Sequence, residues 1–453
     1  MMRRAFLLIL VSAALAFQNI MAQTNAARFR LMTLDPGHFH ASLVQKFMYA
    51  DMDPVVHVYA PDGDDLSEHL KRIASFNSRT NEPTHWREEV YSEPDFFEKM
   101  LADKPGNVVV LAGKSAKKAD YILRSVQDGL NVLADKPMVV RPEDLPKLEQ
   151  AFTVAASNHV LLYDIMTERY EITTLLQREL SQQPALFGQL EKGTPENPAV
   201  QMESIHYISK IVAGAPLKRP AWFFDVSQTG DGITDVTTHL VDLVQFEAFP
   251  ETPLSPDDVT VINARRWTTP ITVKQFKQVT GAAGLPEFLL PYLKNGVLEY
   301  HCNGLIEWRL RDIYARISVV WKFEPPPGEG DALHSLLRGT RATLEIRQGP
   351  EQNYKPVLYV KKAGNATDLE FDGALADALK SIEAKYPGVE IRKAGKEWEL
   401  VIPDKYDVGH EAHFAQVTEN YLSYLRAGRL PEWEVPGMLT KYATTMRAYE
   451  LSR

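Results

Sequence analysis

Dense apolar runs alternate with stretches of helical period through the first third of the chain. Phe29–Leu34, Val55–Ala60, Asn107–Gly113, Asn131–Ala134 and Val160–Met166 are short and apolar, as strands buried on both faces are. Between them, residues 41–50 place Leu43, Val44 and Phe47 on one side. Residues 115–129 place Ala119, Ile122, Leu123 and Val126 at helical spacing before Gly129 ends the run. Strand, helix and strand joined by short links predict parallel pairing. Residues 66–100 are polar, with a loop-like centre at Phe76–Asn81. The second half changes character. Strand-like stretches at Phe187–Lys192, Ser204–Ile208, Val259–Arg266, Val297–Leu310, Ala315–Phe323, Ala342–Arg347, Val357–Lys361 and Trp398–Ile402 predict an open, mostly antiparallel sheet packed on helices. Pro325–Gly330 reads as a loop, and His410–Arg453 as two helices joined at Gly428–Pro431.

Composition adds bounds rather than detail. It is that of an ordinary soluble globular protein, and 453 residues suffice for two or three domains. A formal net charge of −9 without a basic run argues against nucleic acid as a partner. Met1–Arg4 is basic, Ala5–Phe17 is apolar and Ala22 is a cleavage point. Residues 1–22 therefore read as the signal peptide of an exported, periplasmic protein with no membrane attachment after cleavage. The apolar run is too short for a membrane span. Arg3-Arg4 leaves the secretory and twin-arginine routes both open. Cys302 is the single cysteine, which excludes an intramolecular disulfide and reads as a buried small apolar residue. No Cys/His group has zinc spacing, so no metal is expected.

Four stretches carry candidate chemistry. Asp35-Pro36-Gly37-His38-Phe39-His40 joins the first strand to the first helix. A turn in that place can hold a pyrophosphate on its N–H groups, which makes Gly37, His38, Phe39 and His40 nucleotide contacts. Gly37 is the one glycine left of a G-x-G-x-x-G pattern, a weak signal by itself. Asp62, after the second strand, suits ribose hydroxyls and favours NAD over NADP; the alternative is a solvated turn. Asp135-Lys136-Pro137 closes a strand, where the Lys136 ammonium could stabilise a developing alkoxide or be a surface lysine. Gly230–Asp242 predicts a turn and a helix on which Asp235 and His239 share a face. The carboxylate would then hold the imidazole tautomer and keep its titration near neutrality; the alternative is a capping Asp before a half-buried His. Trp222, Arg219 and Asp225 could shape a carbohydrate pocket by stacking and by bonding vicinal hydroxyls. Phe223 reads as core, and His206 is a further pocket candidate.

These segments, in this order, resemble the Gfo/Idh/MocA oxidoreductases, which act mainly on sugars and polyols with a nicotinamide cofactor. The resemblance rests on the strand–turn–helix at Gly37, on "AGKSAKKADYILRSVQDGLNVLADKPM", on the stretch with Asp235 and His239, and on the C-terminal helices. Glu-Lys-Pro of that family stands here as Asp135-Lys136-Pro137, and D-x-G-x-H as Asp235-Val236-Thr237-Thr238-His239. Ala112-Gly113 replaces the usual Thr-Pro. The opening "LDPGHFHASLVQ" resembles an exported bacterial subgroup. The resemblance implies an α/β fold with a Rossmann-like parallel-sheet domain at 28–165. It implies a substrate and oligomerisation domain at 166–453 whose last helices pack back on the first. It also implies that Gly113, Asp135 and Pro137 line the nucleotide site. Glu168 and Arg169 would face the cleft as substrate contacts, or else form an ion pair at a helix start.

The reading that follows is an NAD(P)-dependent oxidoreductase moving hydride between a nicotinamide and a secondary alcohol of a sugar, polyol or glycoside. Lys136 would polarise the reacting oxygen, His239 would carry its proton and Asp235 would orient the imidazole. Free NAD is expected to be scarce outside the cytoplasm, so the cofactor would be tightly bound. Two alternatives stay open: a redox-assisted glycosidase that recycles its NAD, and a non-catalytic carbohydrate-binding protein on the same fold. The expected partner is a small carbohydrate, and homo-oligomerisation is left open.

Overall fold

The computed structural model of the protein describes residues 28–212, 215–364 and 367–453. The leader expected over residues 1–22 lies outside them. Six parallel strands form the first sheet: β1 (Leu31–Leu34), β2 (Val55–Tyr59), β3 (Arg87–Tyr91), β4 (Val108–Leu111), β5 (Asn131–Asp135) and β6 (Leu162–Ile165). Their order is β3-β2-β1-β4-β5-β6. The order reverses between β1 and β4, and such sheets bind ligands beyond the carboxyl ends of the strands at that point. The helices between them are α1 (His40–Leu43), α2 (Asp64–Ser78), α3 (Phe96–Asp103), α4 (Lys118–Gln127) and α5 (Leu145–Ser157). The apolar runs bury every residue of β1, β4 and β6. The polar span 66–100 holds most of α2, a loop over 79–86 that overlaps the loop-like centre, β3 and the start of α3. β3 is an edge strand with no fully buried residue, so it lacks the apolar run that marks its neighbours. The helix expected over 41–50 is only the single turn of α1.

The second domain begins with α6 (Ile172–Ser181) and holds a ten-stranded sheet. Its strands are β7 (Val200–Tyr207), β10 (Val259–Thr272), β11 (Leu293–Lys294), β12 (Val297–Leu310), β13 (Ile313–Lys322), β14 (Ala332–Arg338), β15 (Ala342–Gln348), β16 (Val357–Lys362), β17 (Glu390–Ala394) and β18 (Glu397–Val401). The path runs β10-β12-β13-β7-β14-β15-β16-β18-β17, with β11 on β12, and all pairs except β13–β7 are antiparallel. A two-strand ribbon, β8 (Ile211–Val212) with β9 (Ala215–Pro216), stands apart. Pro270 is tolerated because β10 is an edge. The stretch Phe187–Lys192 is not a strand. Gly188 turns it at φ 77°, although Phe187 itself is buried. One face of the sheet is covered by α6, by α8 (Thr237–Ala248), which follows the single turn α7 (Val226–Thr229), by α9 (Val273–Thr280), and by α10 (Asp368–Lys385). Cys302 is buried there, its thiol donating to Tyr300 O.

The last two helices, α11 (His410–Ala427) and α12 (Glu434–Leu451), return to the first domain. Phe414, Val417, Tyr421, Leu422, Met438, Tyr442 and Met446 enter its core. The Tyr421 hydroxyl donates to Leu161 O at 2.8 Å, and its ring stacks on Tyr163.

Candidate active site

Three turns converge at the carboxyl edge of the first sheet. After β1, Asp35 takes φ 47°, a left-handed conformation that Asp tolerates better than most side chains. It thereby does what the first glycine of a dinucleotide turn does. The Gly37 N–H donates to Asp35 O at 2.8 Å, and the His38 N–H to Ala112 O at 3.0 Å. The turn after β4 touches this one. A Cβ on Gly113 would lie 2.2 Å from Asp35 O, so only glycine permits the contact. His40 stands where the third glycine would be, and its Nδ1 is 2.9 Å from Asp135 Oδ2.

Asp135 ends β5 in a buried position. His38 Nδ1 is 3.3 Å from the same Oδ2 but makes no hydrogen bond. Burial works to raise the Asp135 carboxyl, and the two imidazoles more than reverse it, so the group is held well below its ordinary range. Burial lowers both histidines from their ordinary values, against the pull of Asp135. Phe39 packs edge-on against His40. Behind this pair lies Lys118 of α4, fully buried. Its ammonium donates to Asp135 O at 3.1 Å and Pro137 O at 3.0 Å, and burial lowers it to about 8. Those two carbonyls bracket Lys136, so Lys118 fixes the backbone that presents it.

Lys136 and Asp235 meet across the domains. Nζ is 2.7 Å from Oδ1, with the two side chains 9% and 18% exposed. Burial would lower the ammonium, but Asp235 and Asp135 outweigh it and raise it, so Lys136 stays charged. The expected Asp235–His239 partnership does not form. α8 begins only at Thr237, and Asp235 sits in the preceding turn with its N–H on Asp231 O at 2.9 Å. The four-residue helical spacing therefore does not apply. His239 Nδ1 is buried without a partner. Burial first, then Lys136 and His410, lower the imidazole well below its ordinary value. The turn is set by two contacts. A Cβ on Gly232 would strike the Asn303 backbone at 2.0 Å, and Arg266 pairs with Asp231 at 2.7 Å.

Other expected residues sort differently. Glu168 is partly exposed beside this cluster, 3.6 Å from Nδ1 of His410. His410, at the start of α11, also brings its ring 5.8 Å from His40. It was not singled out from sequence, where Gly409-His410-Glu411-Ala412-His413, two histidines one turn apart after a glycine, was the available signal. Arg169 is no substrate contact. It is buried in a bidentate pair with Asp242 (2.6 Å for both bonds) and also holds Glu434 at 3.1 Å. Asp225 caps α7, accepting from the Ser227 N–H at 3.0 Å. Arg219 is buried, donates to Ile208 O, and lies 4.4 Å from the centre of the Phe223 ring. His206 lies against Trp321 and Asp331, where Asp331 helps line a groove of about 520 Å³ beside loop 325–330. Trp222 faces the Gly37 turn rather than a separate sugar pocket. Its Nε1 donates to Asp65 Oδ1 at 3.0 Å, and the ring approaches Gly37. Asp62 is exposed, and the carboxylate that reaches the turn is Asp65, which also pairs with Lys114 at 2.7 Å. The fold also assembles a group that spacing did not show: ligand atoms of His38, His40 and Asp135 lie within 4.8 Å of one another.

Comparison with known proteins places this geometry. A family model described as "Putative oxidoreductase C terminal domain" matches residues 176–453. The crystal structure of a "putative oxidoreductase" from Parabacteroides merdae is 49% identical, with TM-score 0.92 over 94% of this chain and 98% of that one. Levoglucosan dehydrogenase in complex with NADH and levoglucosan is 13% identical, with TM-score 0.58 over 94% and 98%. Biliverdin reductase from Synechocystis with biliverdin and NADP+ is 11% identical, with TM-score 0.57 over 94% and 99%. The last two share the fold of Gfo/Idh/MocA-type oxidoreductases. No curated protein sequence matches the chain.

Proposed function

The chain belongs to the oxidoreductase family defined by that C-terminal domain, and from this membership we propose that it is an exported, NAD-dependent oxidoreductase of secondary alcohols on a sugar, polyol or glycoside. The residues at the sheet edge fit a dinucleotide. Gly37 and Gly113 bring two turns into contact, and Asp65 with Lys114 offers a carboxylate and an ammonium beside them. Asp65 takes the part first given to Asp62, and a carboxylate there suits ribose hydroxyls and opposes a 2′-phosphate. When bound, the nicotinamide supplies the hydride chemistry.

The chain's own residues supply orientation and proton handling. The observation that carries the reading is the Lys136–Asp235 pair, a charged ammonium held at the carboxyl end of β5 by a carboxylate from the other domain. The ammonium donates to the reacting oxygen and stabilises negative charge developing on it. Asp235 retains a free carboxylate oxygen for a neighbouring hydroxyl. His239, partly exposed beside Lys136, would accept the proton from substrate. The neighbouring complexes support the class, since one holds NADH with levoglucosan and another NADH with L-sorbose.

The test has two parts. Mass spectrometry of small molecules released on denaturing the mature protein is expected to show stoichiometric NAD(H). A glycoside and polyol panel is then expected to yield one oxidised product whose formation falls 10²- to 10⁴-fold in Lys136→Ala and His239→Ala. Full turnover in both variants would sink the mechanism. A site that stays empty after incubation with NAD and NADP would sink the enzyme reading.

A further inference from the structure

The turn at Gly37 contributes backbone to the nucleotide cradle, but the side chains on either side of it do something else. His38 and His40 both aim Nδ1 at one oxygen, Asp135 Oδ2, at 3.3 and 2.9 Å. Ligands of a tetrahedral zinc ion, at bond lengths of about 2.0–2.1 Å, lie about 3.3–3.4 Å apart. Each nitrogen therefore already stands within about half an ångström of ligand spacing from the carboxylate oxygen, and the three ligand atoms all lie within 4.8 Å of one another. A second observation is independent of this spacing. His38 Nδ1 is buried, faces the carboxylate and has no hydrogen-bond partner. Buried polar nitrogens are nearly always satisfied, so an orphan 3.3 Å from a carboxylate calls for a partner, and a bound ion is one that would engage His38, His40 and Asp135 together. The alternative is a structural tie in which Asp135 holds the start of α1 to the end of β5. That role needs His40 alone and leaves His38 without a reason.

We propose that His38, His40 and Asp135 form a binding site for one divalent first-row transition ion of the zinc class, with an open coordination position facing the cleft. The donor set of two imidazoles and one carboxylate suits zinc, cobalt or iron better than magnesium or calcium, which prefer all-oxygen ligands. The opening follows from exposure: the His38 side chain is 27% exposed while those of His40 and Asp135 are 8% and 5% exposed. Three protein ligands with one position left over is the plan of a site that takes a ligand, rather than of a closed structural one. The outer support is in place, because Lys118 anchors the backbone carbonyl of Asp135. Lys136 and Asp235 lie beside this opening. If the reading of the preceding subsection holds, the ion would bind and polarise a carbohydrate oxygen next to the one Lys136 faces. The site itself does not depend on that reading.

The experiment is metal binding by the full chain without nucleotide or substrate. The protein is stripped with a chelator, dialysed and titrated with Co²⁺, and the visible bands of the bound ion are followed. One equivalent of Co²⁺ is expected to saturate them, and one equivalent of Zn²⁺ to abolish them. His38→Ala is expected to weaken binding at least tenfold while its circular dichroism and Tm match the parent, since that side chain is partly exposed. Asp135→Asn is expected to abolish the bands; if it fails to fold, His38→Ala still decides. No saturable Co²⁺ or Zn²⁺ binding below millimolar concentration would overturn the proposal. Binding undiminished in His38→Ala would overturn it as well. Neither result bears on nucleotide retention, so this proposal and the oxidoreductase reading fail separately.

Discussion

Two groups of buried charge share helix α8, and they are built on opposite plans. In the first, Asp242 accepts from Nε and Nη2 along one edge of the Arg169 guanidinium and from Lys441 at 2.8 Å, Lys441 reaches Asp164 at 2.6 Å, and Glu434 closes the group on Nη1 of Arg169. Tyr163 and Tyr442 donate to its carboxylates. Among its polar atoms only Asp164 Oδ1 lacks a partner. In the second, around Asp135, Lys136 and His239, one nitrogen of each of two histidines is left unpaired, and His38, Lys136 and His239 are only partly buried. A closed network fixes how two domains and a tail fit together. An open one keeps hydrogen-bonding capacity for something that arrives later. The difference separates Arg169, expected to touch substrate but held in the closed group, from Lys136, which stands in the open one.

Four experiments would break or sharpen this contrast. Asp242→Asn leaves two buried cations short of a counter-charge and is expected to cost about 3–5 kcal/mol in urea unfolding. Its carboxyl is held below its ordinary value by Arg169 and Lys441 against the opposing effect of burial. That stabilisation is therefore present above the ordinary carboxylate pKa and lost as pH falls below it. A cost under 1 kcal/mol would mean the closed network is not structural. His69 gives the next effect. Burial lowers it to about 4, and neither ring nitrogen has a partner. The unfolded chain takes up that proton near pH 6.5, so stability falls between about pH 6.5 and 4, by about 3 kcal/mol in all. His69→Leu is expected to flatten that part of the stability–pH curve. Lys136→Met is expected to change unfolding free energy by less than about 1 kcal/mol, because Asp235 borders the cleft and takes water in exchange. A loss as large as that of Asp242→Asn would erase the distinction. The last effect is on binding rather than on stability and belongs to Trp222→Phe, which keeps an aromatic ring but removes the donor to Asp65. Loss of one hydrogen bond worth about 1 kcal/mol predicts a roughly fivefold change in nucleotide affinity, read by calorimetry.

The contrast also explains what the sequence could show. Lys136 was legible because strand, turn and motif coincide within three residues. The parallel strands were legible because burial on both faces leaves an unbroken apolar run, as in Val108–Leu111. Edge strand β3 carries no such run and went unseen. Arg169 was misread because its partners, Asp242 and Glu434, lie 73 and 265 residues away, and nothing local distinguishes a residue that will be buried in a pair from one that meets a ligand. Asp225 was readable as a cap, since Asp before Val-Ser-Gln fits a helix start. The carboxylate that reaches the Gly37 turn lies three residues beyond Asp62, at Asp65, because β2 stops at Tyr59 and α2 starts at Asp64, so the first turn of the helix reaches the sheet edge. His38, His40 and Asp135 come together only when β1 and β5 are set on either side of β4, an arrangement without a sequence spacing.

Helix α12 adds a consequence for how this protein is made. Tyr442 and Met446 fill the core of the first domain, and Lys441 neutralises Asp164 on its last strand. A nascent chain that has passed Ile165 thus holds a sheet with an uncovered flank and an unpaired carboxylate. It must wait through nearly three hundred further residues of synthesis for its cover. Domains generally fold as units during translation. Here the first unit cannot finish until the tail arrives. Clipping the chain before Tyr442 should therefore yield aggregation rather than a smaller, well-folded fragment.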